Sequence, residues 1–161
     1  QRLPAPPPVD EAYLALGTTI AVAGSREAFR AVDFDAGRAV AHAAVAAGAR
    51  RIGLVSAMGA GARMDATAVR VDDISRSYNC PLAFMLRKRL RKHGVHKGFK
   101  VVFSTELPDS GAIIPYEGKN KKSQAGTISY LPAVFGCVCA QTVICDILEI
   151  RTFENSIKRK P

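Results

Sequence analysis

Several patterns that would identify a function directly are missing from this sequence of 161 residues. Neither a GxGxxG loop nor a GxxxxGK(S/T) loop occurs, so the usual backbone cradles for a pyrophosphate are missing. No apolar run of about 18 residues and no basic-then-apolar leader is present, so we expect neither a membrane span nor a secretory signal. The composition predicts one cytoplasmic globular domain, or part of one.

Cysteine is scarce and is not spaced for metal binding. The four cysteines are Cys80, Cys137, Cys139 and Cys145. No CxxC pair is present, and on a helix Cys137 and Cys139 would point about 200° apart, so neither a zinc site nor a disulfide framework is indicated. We predict buried structural thiols at the last three positions. Cys80 lies between Asn79 and Pro81, which favours an exposed turn.

Acidic residues are outnumbered by basic ones, and the imbalance is uneven along the chain. The 23 Lys and Arg residues exceed the 14 Asp and Glu residues, for a formal charge of +9. Residues 1–62 are rich in Ala, contain no Lys and carry a formal charge of +1, whereas residues 63–161 carry +8. Two sequence sources joined near residue 60 would explain this change, and drift within one gene remains an alternative.

The first part of the chain reads as a strand, a helix and a second strand. A Pro-rich tail at residues 1–9 precedes a short apolar strand at residues 12–16. A helix is predicted from Ser25, which is a good N-cap, to residue 47, before Gly48. Residues 51–57 predict a second buried strand, so residues 10–62 form one right-handed crossover with parallel strands.

A ligand crevice in such a sheet lies at the carboxyl ends of the strands. The candidate cofactor-binding residues at these ends are Gly17, Thr18, Thr19, Ser56, Met58, Gly59, Ala60 and Gly61. A tight exit from the strand also explains the small residues from Gly59 to Gly61, and we favour that explanation over cofactor binding.

The second part of the chain alternates strands and helices. Strands are predicted at residues 69–74, 99–104 and 127–131, and helices at residues 81–92 and 133–147. Residues 109–126 read as a polar loop and residues 151–161 as a flexible tail. In the second helix, Gly136 and Ala140 are expected to allow close approach to a sheet.

The helix at residues 81–92 has a strongly basic surface. Leu82, Leu86 and Leu90 recur every four residues and predict the buried stripe, with rows of Arg and Lys beside it. His93, His96 and Lys100 extend the positive surface, and both histidines are read as surface residues. Like charges at this spacing repel, so the excess favours phosphate contacts, although a solvated helix face is the commoner explanation. No aromatic residue lies among these cations, so base stacking has no support.

A series of ordered motifs resembles a known family. The segments are SAMGAGARMD from Ser56 to Asp65, VDDIS from Val71, CPLA from Cys80, VVFSTE from Val101, GTISY from Gly126, and Pro132 to Ile150. Over residues 54–150 they resemble the C-terminal half of the tRNA threonylcarbamoyladenosine dehydratases, which belong to the E1-like, ThiF-type superfamily. One departure is Cys80, because the family commonly has Asp before this Pro-Leu pair.

The resemblance implies an α/β fold, in which an incomplete Rossmann-like parallel sheet continues into an E1-like C-terminal mixed sheet at residues 63–150. It implies ATP-dependent adenylation and cyclisation of a modified tRNA adenosine, by a homodimer. The candidate tRNA-binding residues are then Arg87, Lys88, Arg91, Lys92, Lys97, Lys119, Lys121 and Lys122.

Residues 9–60 resemble something else, the middle of an atypical short-chain dehydrogenase that binds NAD(P). Ser56 would then lie near that family's active-site serine, but no Tyr-x-x-x-Lys follows it. The loops that hold ATP or NAD(P) phosphates belong to N-terminal segments that neither resemblance covers, so we expect this chain alone to be inactive. The alternatives are a truncated NAD(P)-dependent oxidoreductase and a non-catalytic tRNA-binding or assembly module.

Overall fold

The computed structural model describes residues 8, 10–12, 25–118 and 121–150. It divides the chain into two compact units, residues 1–54 and residues 55–161. This division lies eight residues before the boundary drawn from composition. The predicted strand at residues 12–16 lies outside the described residues except for Ala12, as do the two predicted tails apart from residue 8.

In the first unit the described residues form a short strand, a helical segment and a second short strand. β1 (Glu11–Ala12) pairs in parallel with β2 (Arg51–Ile52), and the Arg50 amide donates to the Asp10 carbonyl at 2.9 Å. Between them lie α1 (Arg26–Arg30), a π-helical stretch (Ala31–Ala36) and α2 (Gly37–Ala46).

The predicted ends of this helical segment are confirmed. The Ser25 hydroxyl caps its start by accepting from the Ala28 amide at 3.0 Å. Gly48 follows its end with a φ of 89°, a left-handed conformation that glycine adopts without strain.

The single strand predicted at residues 51–57 is wrong. Residues Arg51–Ile52 belong to the sheet of the first unit, and Val55–Ala57 form β3 in a different sheet. Gly53 and Leu54 separate the two pieces, and the Leu54 side chain is 57% exposed. Gly inside an apolar run weakens a strand because it has no side chain to pack, and this position marks the break.

The second unit is built on a three-stranded mixed sheet. β4 (Val69–Asp73) and β5 (Lys100–Ser104) join β3 in the order β3-β5-β4. β5 runs parallel to β3 and antiparallel to β4. The predicted α/β class with a mixed C-terminal sheet is confirmed, and the two strands predicted here lie within one residue of their expected bounds.

Two helices cover the two faces of this sheet. Val101 and Phe103 of β5 pack with Ala83 of α3 (Pro81–Arg91). Val102, between them, packs on the other side with α4 (Tyr130–Ile147). Since successive side chains of a strand point to opposite faces, the central strand is buried by α3 on one side and by α4 on the other.

The buried stripe predicted for α3 is shifted. Leu82 is 52% exposed, whereas Ala83 is completely buried and Leu86 and Leu90 are half-buried. Cys80 sets this register, because it is buried in the core just before the helix and its Sγ accepts from the Ala83 amide at 3.5 Å. The exposed turn predicted for Cys80 is therefore wrong.

Residues 109–126 are not the polar loop that the sequence predicted. After a 3-10 turn (Ser110–Ala112), β6 (Ile113–Gly118) and β7 (Lys121–Ala125) form an antiparallel hairpin with a register shift between Pro115 and Gly118. The strand predicted at residues 127–131 is also wrong, because α4 begins at Tyr130. Leu131 is fully buried against Val102 and Phe135, a contact that the helix supplies.

The sheet-facing side of α4 also differs from the prediction. Leu131, Phe135 and Thr142 are its buried residues, whereas Gly136 and Ala140 are exposed. A Cβ added at Gly136 would meet no atom within 4 Å, so this glycine does not mediate a close approach. Of the cysteines predicted to be buried here, Cys137 is exposed, and Cys139 and Cys145 are half-buried.

α4 is long and apolar enough to cross a membrane, with a mean hydropathy of 1.6 over 18 residues. One such helix is weak evidence for a span, because the core helix of a soluble domain has the same length and composition. Leu131 and Phe135 pack against the sheet, and 17% of the 18 residues are buried.

Candidate functional site

The turn after β3 wraps around the buried guanidinium of Arg63, which is only 4% exposed. Its Nη1 donates to the carbonyls of Gly59 at 2.9 Å and Gly61 at 3.1 Å. Its Nε donates to the Glu106 carbonyl at 3.0 Å, and its Nη2 donates to the Asn79 carbonyl at 2.6 Å. One planar fork of donors therefore ties together three separate segments of the chain.

The Glu106 carboxylate completes this junction. It accepts from the Met64 amide at 3.0 and 3.2 Å and from the Asp65 amide at 2.9 Å. The Tyr130 hydroxyl donates to the Met64 carbonyl at 2.6 Å, and the Asn79 side-chain amide donates to the Thr105 carbonyl at 2.7 Å. The junction therefore joins three of the six segments that resemble the dehydratase family, SAMGAGARMD, VVFSTE and GTISY, and Asn79, which directly precedes a fourth, CPLA.

The backbone of this turn has little room. A Cβ added at Gly61 would lie 2.9 Å from the Cβ of Ala125, and the next residue, Ala62, has a φ of 58°. The Ala62 amide donates to the Gly126 carbonyl at 2.7 Å, and its carbonyl accepts from the Asp109 amide at 2.8 Å. Gly61 is thus required by packing against the end of the hairpin.

The candidate cofactor-binding residues are divided by the structure. Gly17, Thr18 and Thr19 lie outside the described residues. Ser56 is half-buried in β3 opposite Val101, and the Met58 side chain is buried in the core. Gly59, Ala60 and Gly61 form the turn around Arg63. Their assignment to a cofactor stays a prediction.

Within the described residues, the Arg63 guanidinium is not directed toward a site for nucleotide phosphates. A phosphate cradle needs amides and cations directed outward, whereas the Gly59 and Gly61 carbonyls and the Arg63 guanidinium are turned toward each other. The described residues also contain no group of three His, Cys, Asp or Glu side chains placed to hold a metal.

The strongest charge feature of the second unit lies on α3 and the turn after it. Residues 74–105 contain eight Lys or Arg and no Asp or Glu. Five exposed cations on this helix and turn form what we call the α3 basic surface: Lys88, Arg89, Arg91, Lys92 and Lys97. Arg89 was not among the residues predicted from the sequence. The ion pairs found among the described residues use none of the five.

Arg87 differs from its neighbours in being half-buried. Its Nη1 donates to the Ser77 carbonyl at 2.8 Å and also bonds the Ser77 hydroxyl. These bonds join α3 to the preceding 3-10 turn (Ile74–Arg76). Arg87 thus has a structural role, which leaves Lys88, Arg91, Lys92 and Lys97 as the exposed members of the predicted set on this surface.

The helix dipole gives a structural reason for cations at the C-terminal end of α3. Lys88, Arg89 and Arg91 lie in the last turn of the helix, where positive charge is stabilised by the helix dipole. This offsets part of the repulsion among them. The helix dipole accounts less well for the basic residues that follow the helix. These are Lys92 and Lys97, together with the exposed His93 and His96.

Two of the remaining predicted cations lie at the start of the second strand of the hairpin. Lys121 is the first residue of β7, and Lys122 follows it. Lys119 lies outside the described residues. Their contact with tRNA stays a prediction.

A cavity of about 790 Å³ opens between β4 and the C-terminal half of α4. Four of its charged lining groups form ion pairs: Arg76 bonds Asp72, and the Lys100 Nζ lies 2.5 Å from Asp146 Oδ1. The Arg70 Nη1 donates to the Thr67 and Val69 carbonyls at 2.7 and 2.8 Å. Asp73 accepts from the Gly98 amide at 2.8 Å. The three cations and three carboxylates of the lining therefore balance in formal charge.

Comparison with known proteins gives one consistent result. No family model matches the chain. The tRNA threonylcarbamoyladenosine dehydratase of Bacillus subtilis is 32% identical over 112 residues, which cover 62% of this chain and 42% of that protein. Dehydratase 1 of Saccharomyces cerevisiae is 26% identical over 122 residues, covering 68% of this chain and 28% of the yeast protein.

Solved structures agree with the sequence comparison. The tRNA N6-threonylcarbamoyladenosine dehydratase of E. coli in complex with ATP matches 68% of this chain with a TM-score of 0.51 and 27% identity. The same enzyme in complex with AMP matches 66% with a TM-score of 0.50 and 30% identity. This chain is a partial relative of the tRNA threonylcarbamoyladenosine dehydratases.

The similarity is limited in length. The matches cover 41% and 43% of the two E. coli structures and less than half of the bacterial and yeast relatives. The expected E1-like relationship is confirmed for part of the chain. The relatives named here give no support to the NAD(P)-binding alternative.

Proposed function

We propose that this chain acts in tRNA modification in the cytoplasm and contacts tRNA phosphates through the α3 basic surface. The relatives supply the substrate class, because the bacterial, yeast and E. coli proteins are all named as tRNA dehydratases. The observation that carries the proposal is the run of residues 74–105, with eight cations, no acid and five exposed basic side chains on one helix and turn.

The mode of binding follows from the side chains present. Lys and Arg without interleaved aromatic residues contact the phosphate backbone and do not stack on bases. The chain therefore recognises tRNA by charge and shape at this surface, and specificity for one tRNA needs contacts from elsewhere.

We further propose that ATP-dependent adenylation, which the resemblance implies, is not performed by these 161 residues alone. Arg63, the buried cation of the strand-end turn, makes four hydrogen bonds to backbone carbonyls, and neither phosphate-loop motif occurs in the sequence. The chain then acts as a tRNA-binding or assembly module and self-associates as a homodimer. ATP–pyrophosphate exchange by the purified chain should be at background level.

Fluorescence anisotropy with a labelled tRNA tests the binding proposal. Replacing Lys88 and Lys92 together by Ser should weaken binding about tenfold, because both side chains are exposed and each would cease to neutralise a phosphate. Replacing Arg30 and Arg38, two exposed cations of the first unit, by Ser is the matched control and should change the Kd less than about twofold. Equal effects of the two pairs would reject the α3 basic surface.

A further inference from the structure

The outward face of α4 carries a continuous apolar seam. Its members are Ala133, Cys137, Ala140, Ile144 and Ile147, all of them exposed. Their spacing of four, three, four and three residues is the heptad repeat of helices that pack along their length. The seam lies opposite the buried residues Leu131, Phe135 and Thr142, which face the sheet.

The seam is unusual for a surface in contact with water. Ile144 is 53% exposed, Ile147 is 47% exposed, and the flanking Leu148 is 60% exposed. No charged residue occurs from Tyr130 to Cys145. A patch of this kind, running about 21 Å along the helix, is typical of a surface that another molecule covers.

The sizes of the seam residues make it complementary to a reversed copy of itself. The N-terminal half holds the small residues Ala133, Cys137 and Ala140, and the C-terminal half holds the large residues Ile144 and Ile147. A two-fold axis near residue 140 would place position 144 opposite position 137, and position 147 opposite position 133. Each large side chain then meets a small one, which a parallel pair would not provide.

Charge favours the same antiparallel arrangement. The first turn of α4 has no acidic residue, and its N-cap, Ser129, makes no side-chain capping bond. At the C-terminal end Asp146 is already paired with Lys100, and the exposed Glu149 is the acidic residue available to a partner. The same axis brings Glu149 beside positions 131 and 132 of the partner, where the positive end of the helix dipole attracts an anion.

We propose that the α4 seam binds a second copy of this chain in an antiparallel, two-fold symmetric helix pair. This inference rests on the homodimer in the proposed function and names its surface and geometry. The basic surface is on α3, which packs on the other side of the sheet, so the two surfaces of each copy are separate.

Disulfide trapping with the native Cys137 tests the geometry. The full chain carrying Ile144→Cys should form a covalent dimer under mild oxidation. Peptide mass spectrometry should identify a link between Cys137 of one copy and the cysteine introduced at position 144 of the other. The double variant Ile144→Cys, Cys137→Ser is the control and should not form it.

The wild-type chain supplies a second test of the same geometry. In the antiparallel pair the two Cys137 residues lie about 10 Å apart along the axis, too far for a disulfide. Mild oxidation of the wild type should therefore give no link between them. A disulfide joining the two Cys137 residues would overturn the antiparallel arrangement.

Sedimentation equilibrium of the unmodified chain tests the association itself. The wild type should be dimeric at about 50 μM, and Ile144→Asp should shift it to monomer, because a charge would be buried in the seam. Since Ile144 is exposed in one copy, the variant should keep the wild-type circular dichroism spectrum. A wild-type monomer, or a monomer that floats with phosphatidylcholine vesicles, would overturn the proposal. A wild-type monomer would reject the homodimer of the proposed function together with this interface, whereas a dimer without the link between positions 137 and 144 would reject the interface alone. Neither result would alter the tRNA affinity measured for the α3 variants.

Discussion

Arg63 is the residue whose role depends most on the fold. Its four hydrogen bonds reach carbonyls up to 43 residues away in sequence, and no spacing rule could have indicated them. The resemblance included Arg63 among its motifs, but only the structure shows that the side chain is internal. Cys80 shows the same limit, since its neighbours Asn79 and Pro81 favour a turn while its thiol is in the core.

Replacing Arg63 should destabilise the second unit strongly. Arg63→Ala leaves buried carbonyls without donors and should cost about 3 kcal/mol or more in the free energy of unfolding. Arg63→Lys should cost somewhat less, because an ammonium restores only part of the planar set of bonds. Urea unfolding followed by circular dichroism measures both. The exposed Arg89→Lys is the control, expected within about 0.5 kcal/mol of wild type, and a wild-type midpoint for Arg63→Ala would contradict this role.

Asp73 links stability to pH. The Ser75 hydroxyl is the main cause that lowers the pKa of this carboxyl below its usual value, with help from the Gly98 and Ser75 amides and from Arg76. The unfolded chain therefore binds this proton more readily than the folded one. The resulting stability is present above the ordinary pKa, about 3.9, and is lost as the pH falls through the lower folded pKa.

Asp73→Asn should remove this dependence. The variant should melt below the wild type at neutral pH, and the difference in Tm should shrink as the pH is lowered through the ordinary carboxyl pKa, about 3.9. Ser75→Ala should give a smaller effect of the same sign, because the two amides still donate to Asp73. A Tm difference that stays constant over this acid range would show that Asp73 does not titrate as described.

At the scale of elements, the turn after β3 is held by steric fit. Gly61→Ala should destabilise the chain by about 1–3 kcal/mol, because the new methyl group would lie 2.9 Å from the Ala125 Cβ. Gly59→Ala is the matched control in the same turn, where the nearest atom is the Leu82 Cβ at 3.8 Å, an ordinary contact. Thermal melts compare the two. Equal shifts would mean that the approach to Ala125 is not limiting.

The elements show where sequence patterns suffice. β4 alternates apolar and polar residues, and β5 contains consecutive apolar residues. α3 has Pro81 at its start. The positions of all three elements therefore follow from local sequence signals. The hairpin at residues 113–125 was missed because a Lys-rich, glycine-containing segment reads as a loop. β7 forms because Ala125 pairs with Ile113, a contact that local composition does not contain.

The start of α4 was predicted wrongly for a different reason. The segment at residues 127–131 has the composition of a strand, with Ile, Thr and Tyr, and a Pro follows at position 132. Pro is tolerated in the first turn of a helix, so it did not exclude an earlier start. Burial of Leu131 against Val102 decided between the two conformations, and this tertiary contact could not be read from the sequence.

For the whole molecule, the two compact units should differ in independent stability. Both buried clusters of the second unit draw only on residues from Val55 onward, whereas Ala44 is the one buried hydrophobic residue found in the described part of the first unit. Residues 55–161 expressed alone should show a cooperative thermal transition, and residues 1–54 alone should not. Cooperative melting of residues 1–54 would contradict this assignment of the core.

The salt dependence of the affinity is the sharpest test of tRNA binding by the α3 basic surface. A plot of log Kd for tRNA against log salt from about 50 to 200 mM should be steep for the wild-type chain, because bound phosphates release counterions. Replacing Lys88 and Lys92 by Ser should reduce the slope by about one for each phosphate that is no longer neutralised. A slope near zero, or a slope that these replacements leave unchanged, would contradict the account.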